Sequence, residues 1–339
     1  MKKFILTFVF VIVATLAAMA QQISVVSTTG ATTLYRTLQD AIVGADPGSV
    51  IYLPGGGFSI ADSVKINKKL TIIGIGHKIN NDNVDGSTTI NGNLWFNDGS
   101  SGSAVMGCYM TGSVIVGDDN SAVNDILIRY CNLKSVQVKN NLCVETVVNQ
   151  NYIREGSSWG NSPAKITNNI IHSIAYVDGG LIQNNIIIGY YCTYNDFNRA
   201  DYDVYRIIEA SNSLINNNVM IGIRTNRYGN NAHVGGSNNQ VYTNMAKEMV
   251  GESCINIAEL NTDWGDVFVS YNNAAISPTS DFHFKEAYQQ YQSQVGIYAG
   301  TGFNDNQLAP VPYIVGKRVD EQTDASGKLN VKIRVKAGQ

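Results

Sequence analysis

The chain contains few charged residues, prolines and histidines, and these shortages restrict the kinds of fold that it can adopt. Of its 339 residues only 15% are charged, 6 are proline and 4 are histidine, whereas glycine is plentiful with 32. Surface helices need Lys and Glu along their exposed faces, so this composition favours short strands and tight turns over helices. Without the first twenty residues, 22 positive face 27 negative side chains, a net charge of −5. We therefore expect no nucleic-acid binding through a general basic surface.

Cysteine is also scarce, and its number is odd. Cys108, Cys131, Cys143, Cys192 and Cys254 contain no C-x-x-C pair. At least one of them must be free or intermolecular, which excludes a disulfide scaffold as the basis of the fold. The four histidines are scattered, and none lies near a cysteine at ligand spacing, so we predict no metal site from these residue types.

The longest apolar run lies at the N-terminus. Lys2 and Lys3 precede an apolar stretch from Phe4 to Ala17, and an Ala-x-Ala site ends at Ala20. This pattern predicts a secretory signal peptide over residues 1–20 and a secreted protein that is extracellular, on the cell surface or periplasmic. An uncleaved membrane anchor is the alternative, for which the run is short. After cleavage we expect no integral membrane segment.

Nine segments share one template: an aliphatic residue, two variable residues, a residue that is usually Asn, one variable residue, and an apolar residue. The fourth position, which we name the ladder position, recurs 15 to 33 residues apart. Such irregular spacing is typical of stacked β-coils with loops of variable length. The predicted ladder residues are Asn93, Cys108, Cys131, Asn151, Asn169, Asn185, Asn218, Asn244 and Asn272.

The template predicts two short strands on either side of a sharp corner. The apolar residues three before and two after the ladder position would point into a core. An Asn at the corner adopts the left-handed conformation more readily than most residues, and its amide can bond an Asn one coil away. The two cysteines at this position would be inert buried thiols, with a disulfide between coils as the alternative. Asn-rich spacer sequence without a ladder is the competing interpretation.

The Asn ladder, with the stretches Thr37–Ile42, Asp46–Gly48, Ile51–Gly55 and Leu70–Gly74, resembles the right-handed parallel β-helix proteins of the pectate-lyase-like superfamily. The resemblance covers roughly residues 34–275. It implies an all-β, single-stranded right-handed parallel β-helix. It is not specific for an activity, because this superfamily includes lyases, glycoside hydrolases, esterases and adhesins.

The two ends of the stack carry different patterns. Leu38, Ala41, Ile42 and Ala45 have the spacing of an amphipathic helix, which would cap the first coil. In the C-terminal tail, residues 311–339, apolar residues from Leu329 to Val335 alternate with basic ones, which predicts a β-hairpin with part of Ile314–Thr323. Residues 21–310 would form the β-helix with its capping elements. Within them, Ser277–Pro312 would be irregular structure with a short helix that closes the last coil, or else a separate small domain.

The longest insertions fall in consecutive intervals, from Asn185 to Asn218 and from there to Asn244. Loops on a rigid scaffold commonly carry function, and tyrosines beside carboxylates and guanidiniums are typical of a sugar-binding groove. The candidate ligand-binding residues are Tyr190, Tyr194, Asp196, Arg199, Asp201, Asp203, Arg224, Arg227 and His233.

The alternative is that the loop over residues 189–213 is a lid. Six apolar residues after the ladder positions are predicted to face outward, and together they would form an apolar patch that a loop could cover. We name them the outer strip: Ile170, Ile186, Ile188, Val219, Ile221 and Met245.

These patterns predict a secreted β-helix protein that binds or scaffolds extracellular or cell-surface carbohydrate. A polysaccharide lyase or glycoside hydrolase is one alternative, and a structural adhesin is another. No complete catalytic motif is present, so whether the protein is an enzyme stays open. No cofactor is predicted, although the resemblance makes calcium a candidate: related lyases pair calcium-binding acids with a basic catalytic residue. Asp196, Asp201 and Asp203, with Arg199 or Arg206, would have those roles.

Overall fold

The computed structural model is all-β with large parallel sheets, an architecture compatible with a parallel β-helix. It describes residues 22–77, 86–189, 206–221, 233–247, 251–257, 263–271, 280–305, 308, 312–319, 322 and 326–336. The predicted signal peptide, residues 1–20, lies outside this part of the chain. None of the helices in the described ranges has the length and apolar character that crossing a membrane requires.

Short strands dominate the described part of the chain. In order they are β1 Ile23–Val26, β2 Thr32–Tyr35, β3 Val50–Tyr52, β4 Gly56–Ile66, β5 Thr71–Ile73, β6 Thr88–Phe96, β7 Ala104–Met106, β8 Tyr109–Met110, β9 Val114–Val116, β10 Leu127–Arg129, β11 Asn132–Leu133, β12 Val136–Val138, β13 Thr146–Asn149, β14 Tyr152–Ile153, β15 Ser157–Ser162, β16 Ala164–Thr167, β17 Ile170–Ile171, β18 Ile174–Asp178, β19 Leu181–Gln183, β20 Ile186–Ile187, β21 Arg206–Ser211, β22 Leu214–Asn216, β23 Val219–Met220, β24 His233–Gly235, β25 Gln240–Tyr242, β26 Met245–Ala246, β27 Ile255–Asn256, β28 Phe268–Ser270, β29 Asp281–Phe284, β30 Tyr313–Val319 and β31 Val331–Lys336.

Successive coils place their strands on three faces. Face 1 holds β3, β5, β7, β10, β13, β16, β19, β22 and β25, all parallel, and the antiparallel strands β1 and β2 extend its first edge. Face 2 holds β8, β11, β14, β17, β20, β23, β26 and β27. Face 3 holds β9, β12, β15, β18, β21 and β24. The long strands β4 and β6 pair along both face 2 and face 3, which joins these two faces into one sheet.

Helices are few and short in the described ranges. They are α1 Leu38–Gly44, α2 Trp264–Val267 and a 3-10 helix at Glu286–Tyr291. At the start of α1, the Thr37 hydroxyl accepts a hydrogen bond from the Asp40 amide at 3.1 Å, an ordinary N-cap. The buried side of α1 joins the main core through Leu38, Ala41 and Ile42. The helix therefore packs on the first coil through the face that its sequence pattern predicts.

The main core is a column of aliphatic side chains in register. On face 1 one residue in the middle of each strand points inward, so Ile128, Val148 and Ile166 lie above one another with no solvent exposure. Because side chains alternate along a strand, the residues on either side of it point to the outer surface of the face. This alternation explains why aliphatic residues recur with the template.

The ladder is present over five consecutive coils. The Asn151 side-chain amide donates to Asn169 Oδ1 at 3.0 Å, and the same contact links Asn169 to Asn185, Asn185 to Asn218, and Asn218 to Asn244, at 2.9–3.0 Å. Each of the first four Asn side chains also donates to a carbonyl of the preceding coil and to one in its own corner, as Asn169 does to Val148 and Thr167. Every amide hydrogen of these residues thus has a buried acceptor.

Cys131 and Cys108 continue the ladder downward as thiols. The Cys131 backbone amide donates to Asn151 Oδ1 at 2.9 Å, just as the Asn151 backbone amide donates to Asn169 Oδ1 in the next coil. Both thiols are free and completely buried, as predicted for an apolar slot. Burial raises the pKa of Cys131 to about 12, so the thiol stays protonated at neutral pH.

The predicted conformation of the ladder residue is wrong. The left-handed residue is the one just before it: Tyr130 has φ 54°, Gln150 57°, Asn168 53°, Asn184 56° and Asn217 57°. The left-handed residue turns the chain, and the ladder residue that follows then points its side chain inward. The corner therefore needs two residues, of which the second carries the ladder side chain.

One predicted ladder residue, Asn93, does not belong to the ladder. Asn93 lies where β6 passes from face 2 to face 3, and its side chain bonds the Ser113 amide and the Asp62 carbonyl. The position below Cys108 is instead held by Thr88, because Thr89 pairs with Tyr109; the Thr88 hydroxyl accepts from the Ile75 amide at 3.0 Å. The template therefore matched a later bend of the same strand, β6, instead of the corner that precedes face 2.

At the other end, Asn272 lies outside the described residues, but its segment is not the next coil. Ile255 pairs with Met245, which places Cys254 at the ladder position above Asn244. Val269, the first residue of the predicted segment, is 52% exposed and belongs to β28, which pairs antiparallel with β29. The segment that begins at Val269 therefore has the spacing of the template without forming the next coil.

A C-terminal stretch covers the outside of face 2. We name residues 263–271, 280–305 and 308 the cover segment. Its aromatic residues Trp264, Phe268 and Phe282 form a second apolar cluster with outward-facing residues of face 2. The Trp264 indole also donates to the Ile221 carbonyl at 3.2 Å. The predicted short helix of this region is present at Glu286–Tyr291, and the segment lies along several coils of face 2; that it also closes the last coil stays a prediction.

Left-handed corner residues hold the cover segment in place. The Asn168 side chain donates to the carbonyls of Ile297 and Ala299 at 2.8 and 2.9 Å. Gln150 accepts from the Asn304 amide at 2.7 Å, and the Asn217 carbonyl accepts from the Gly296 amide at 2.8 Å. The segment thus descends along the corner between faces 1 and 2, against the order of the coils.

Candidate functional site

The two longest insertions leave the stack at the same corner on adjacent coils. The first runs from β20 on face 2 to β21 on face 3, and the second from β23 to β24. At their starts, the Ile221 amide donates to the Ile187 carbonyl at 2.8 Å, and at their ends Arg206 pairs with His233. The prediction that these loops leave from neighbouring coils is confirmed.

Most of the predicted ligand-binding residues lie outside the described part of the chain. This holds for Tyr190, Tyr194, Asp196, Arg199, Asp201, Asp203, Arg224 and Arg227, while His233 is described through its backbone in β24. Their role stays a prediction, as does the calcium site among the three aspartates. In the described ranges, no three His, Cys, Asp or Glu residues are grouped to hold a metal ion.

The start of the first insertion is tightly packed. A Cβ at Gly189 would come within 2.3 Å of the His172 ring, so any other residue would have to displace this ring. Burial lowers the pKa of His172, which favours its neutral form at neutral pH. The insertion therefore begins from a fixed point on the scaffold.

The outer strip is buried, but by a different element from the one predicted. All six of its residues are at most 2% exposed and belong to the second apolar cluster with the cover segment. The physical need for a cover was predicted correctly. Because the cover segment meets that need, burial of the strip is no longer an argument for a lid over residues 189–213.

The outer surface of face 3 carries a straight column of side chains beside the insertions. Strand register aligns Lys65, Trp95, Ile115, Gln137, Ser158, Ala175, Glu209 and Gly235, one per coil. Along this row Ala175 is completely buried, whereas Trp95, Ser158 and Glu209 are partly exposed. We name this row the face 3 column. Neighbouring coils are about 4.8 Å apart, so the column extends over roughly 30 Å.

The ends of the face 3 column differ in charge. At the lower end the Lys65 ammonium lies 4.5 Å from the Trp95 ring centre, and the indole donates to the Gly117 carbonyl at 2.9 Å. At the upper end, half-buried Glu209 lies three residues after the first insertion ends. A carboxylate is thus placed next to the chain segment that carries the predicted aspartates and arginines.

An exposed polar row borders the same face. Asn212 donates to Asp178 at 2.6 Å, and Asn238 donates to Asn212 at 3.2 Å. The three residues come from three successive coils and lie at the corner between faces 3 and 1. Carboxylate and amide groups at regular spacing are suitable partners for sugar hydroxyls. The sequence reasoning missed these residues and Glu209, because their placement depends on register rather than on a motif.

A second polar cluster lies on the cover segment. The His283 ring stacks on Tyr298 with centroids 3.9 Å apart and bonds Asp281 at 2.6 Å, while the Tyr298 hydroxyl donates to Asp305 at 2.7 Å. Burial and the nearby Asp305 raise the pKa of Tyr298, so this phenol remains a hydrogen-bond donor. These contacts join β29 to residues 298–305 within the cover segment.

Comparison with known proteins gives no relative. The chain matches no protein-family model, no curated protein and no solved structure. The site is consequently defined by its own geometry.

Proposed function

We propose that the chain is a secreted right-handed parallel β-helix of the pectate-lyase-like kind, with α1 as its N-terminal cap and β30–β31 as its tail. Parallel strands joined within one sheet are right-handed in almost all proteins, which supports this handedness. The Lys68 ammonium donates to the carbonyls of Val43 and Ala45 at 3.0 Å, where α1 ends on the first coil. These contacts support the capping role of α1.

We further propose that the protein binds extracellular carbohydrate along the face 3 column and between the two insertions. The observation that carries this proposal is that both insertions leave from one corner of adjacent coils, beside the strands of face 3. Tyr190 and Tyr194 would offer rings to the apolar faces of sugars, and the charged residues of both insertions would bond hydroxyl groups. The mixture of acids and arginines favours neutral or weakly acidic oligosaccharides.

The burial of the outer strip by the cover segment supports a ligand-binding role for the first insertion. A long loop rich in Tyr, Asp and Arg has no core to form by itself, and the strip that it could have covered is already buried. Ligand binding would explain why the insertion carries these side chains, whereas covering the outer strip no longer explains it.

A polysaccharide lyase or glycoside hydrolase is the second candidate. Glu209 belongs to β21, the strand that directly follows the insertion with Asp196, Asp201 and Asp203, and paired carboxylates are the usual means of glycoside hydrolysis. Release of reducing ends or unsaturated products from a polysaccharide panel, with and without calcium, distinguishes an enzyme from a binding protein.

The test is a glycan array with the parent chain and the double variant Tyr194→Ala with Arg199→Ala. We expect binding in the micromolar to millimolar range, about −4 to −8 kcal/mol, and its loss in the variant with little change in melting temperature. Tyr52→Ala with Arg36→Ala is the matched control, because both residues are exposed near the first coils. If no glycan binds and the insertion variant melts many degrees lower, the insertion is structural, and an adhesin becomes the better interpretation.

A further inference from the structure

The C-terminal strand β31 is exposed along its whole length and has an aliphatic side. β30 and β31 pair antiparallel, with Val319 opposite Val331 and Lys317 opposite Ile333, so one basic residue stands on the same side of the pair as the aliphatic residues of β31. Val331, Ile333 and Val335 lie on one side of β31 and are 52%, 54% and 59% exposed. We name β30 and β31 together the C-terminal ribbon. Aliphatic side chains with this alternation normally lie against another layer.

The opposite side of the ribbon is basic. Lys332 and Arg334 are both exposed, and Arg318 lies directly across the ribbon from Lys332. The Arg334 guanidinium lies over Gly316, where a Cβ would come within 2.7 Å of it. Six basic and three acidic residues occupy positions 311–339, whereas 16 basic and 24 acidic residues occupy positions 21–310. The tail has a net charge of +3, and the rest has a net charge of −8.

The size and charge of the ribbon restrict its partner. A stable protein interface buries about 800 Å² on each side, and three half-exposed aliphatic side chains fall far short of this, which argues against a second copy of the chain. A soluble polyanion would engage the basic side and leave the apolar side in water. A surface that combines negative charge with an apolar layer satisfies both sides.

We propose that the C-terminal ribbon docks on the surface of a lipid bilayer that contains anionic headgroups. Val331, Ile333 and Val335 enter the boundary of the acyl chains, and the long Lys and Arg side chains reach the lipid phosphates around them. The negatively charged remainder is repelled by the same surface, so the protein attaches through the ribbon alone. This inference is independent of the proposed carbohydrate binding.

The test is co-sedimentation of the chain beginning at Gln21 with phosphatidylcholine vesicles, with and without phosphatidylglycerol. We expect binding only to the anionic vesicles. A basic side chain near such a surface contributes about five-fold in affinity, so Lys332→Gln with Arg334→Gln should weaken binding roughly 25-fold. Ile333→Thr keeps a β-branched residue but removes apolar contact, and it should weaken binding several-fold. Lys139→Gln with Lys165→Gln is the control, because it removes the same charge from exposed positions on the coils.

Each outcome decides the proposal. Binding that is weakened roughly 25-fold in the charge variant and several-fold in Ile333→Thr, and unchanged in the control, supports it. Equal binding of all variants contradicts it, as does the absence of binding to anionic vesicles. If Ile333→Thr binds like the parent while dextran sulfate displaces the protein from vesicles, the partner is a polyanionic chain, and the proposal is wrong. Circular dichroism of each variant shows whether the coils remain folded.

Discussion

The central amide of the ladder offers the sharpest test of the fold. Asn185 donates three hydrogen bonds, to the Ile166 carbonyl, the Gln183 carbonyl and Asn218 Oδ1, at 2.8–3.0 Å. Its own Oδ1 accepts from both the backbone and the side-chain amide of Asn169. In Asn185→Leu the Asn169 backbone amide loses its acceptor in a fully buried site. An unsatisfied buried group costs about 1–3 kcal/mol, and with the other lost bonds we expect a loss of about 2–4 kcal/mol.

The variant Asn185→Asp gives the same test a pH dependence. An ionised carboxylate keeps the volume but cannot donate to the carbonyls of Ile166 and Gln183, so it should be protonated in the folded state. Its pKa would be raised in the folded chain above the unfolded value of about 3.9, and its destabilising effect should therefore shrink as pH falls. Asn185→Leu should show no such trend.

Urea unfolding followed by circular dichroism measures both effects. Gln183→Ser, on the same coil with its side chain directed to solvent, is the control and should change stability by less than about 0.5 kcal/mol. Asn185→Leu as stable as this control would refute the ladder as a source of stability.

Two further predictions concern the cover segment and the thiols. The variant Asn168→Gly keeps the left-handed corner but removes the hydrogen bonds to the Ile297 and Ala299 carbonyls, so amide hydrogen exchange should accelerate over residues 296–304. Asn161→Gly, which replaces another left-handed but exposed Asn, is the control. Equal exchange in both variants would contradict the anchoring role of Asn168. Because burial raises the pKa of Cys131 to about 12, its contribution to stability should be complete below about pH 8.5 and decline by about 1.4 kcal/mol per pH unit above it, as the unfolded thiol ionises. Unfolding of the parent and Cys131→Ala across this range should diverge in slope, and parallel profiles would count against the buried thiol.

Much of the fold follows from the sequence because the coil is a local unit. Each aliphatic and ladder position is determined within six residues, so Asn151, Asn169, Asn185, Asn218 and Asn244 could be identified from spacing alone. Register between coils is not local. Asn93 and the segment at Val269 satisfied the template, but strand pairing placed Thr88 and Cys254 at the ladder position instead.

The sequence of a corner does not show which of its residues adopts the left-handed conformation. Runs such as Asn168–Asn169 and Asn217–Asn218 contain two amides, and spacing does not tell which one turns the chain. The structure assigns the turn to the first amide and the ladder to the second. The first amide is then free to hold the cover segment, a contact across about 130 residues that no local pattern encodes.

The candidate site was predictable only in its location. Unequal ladder spacing showed which coils carry insertions, and the structure confirms that these insertions leave from adjacent coils at one corner. Glu209 and the exposed row at Asp178 depend on strand register, so they were missed. The buried outer strip was recognised, but its cover was assigned to the nearest long loop rather than to a segment far along the chain.

The most direct measurement of the proposed function is hydrogen exchange of the whole chain, with and without the glycan that binds most tightly on an array. We expect slower exchange in both insertions and at the strand ends beside them, residues 206–211 and 233–235, with no change on face 1. Protection on another face, or no glycan that binds at all, would contradict it.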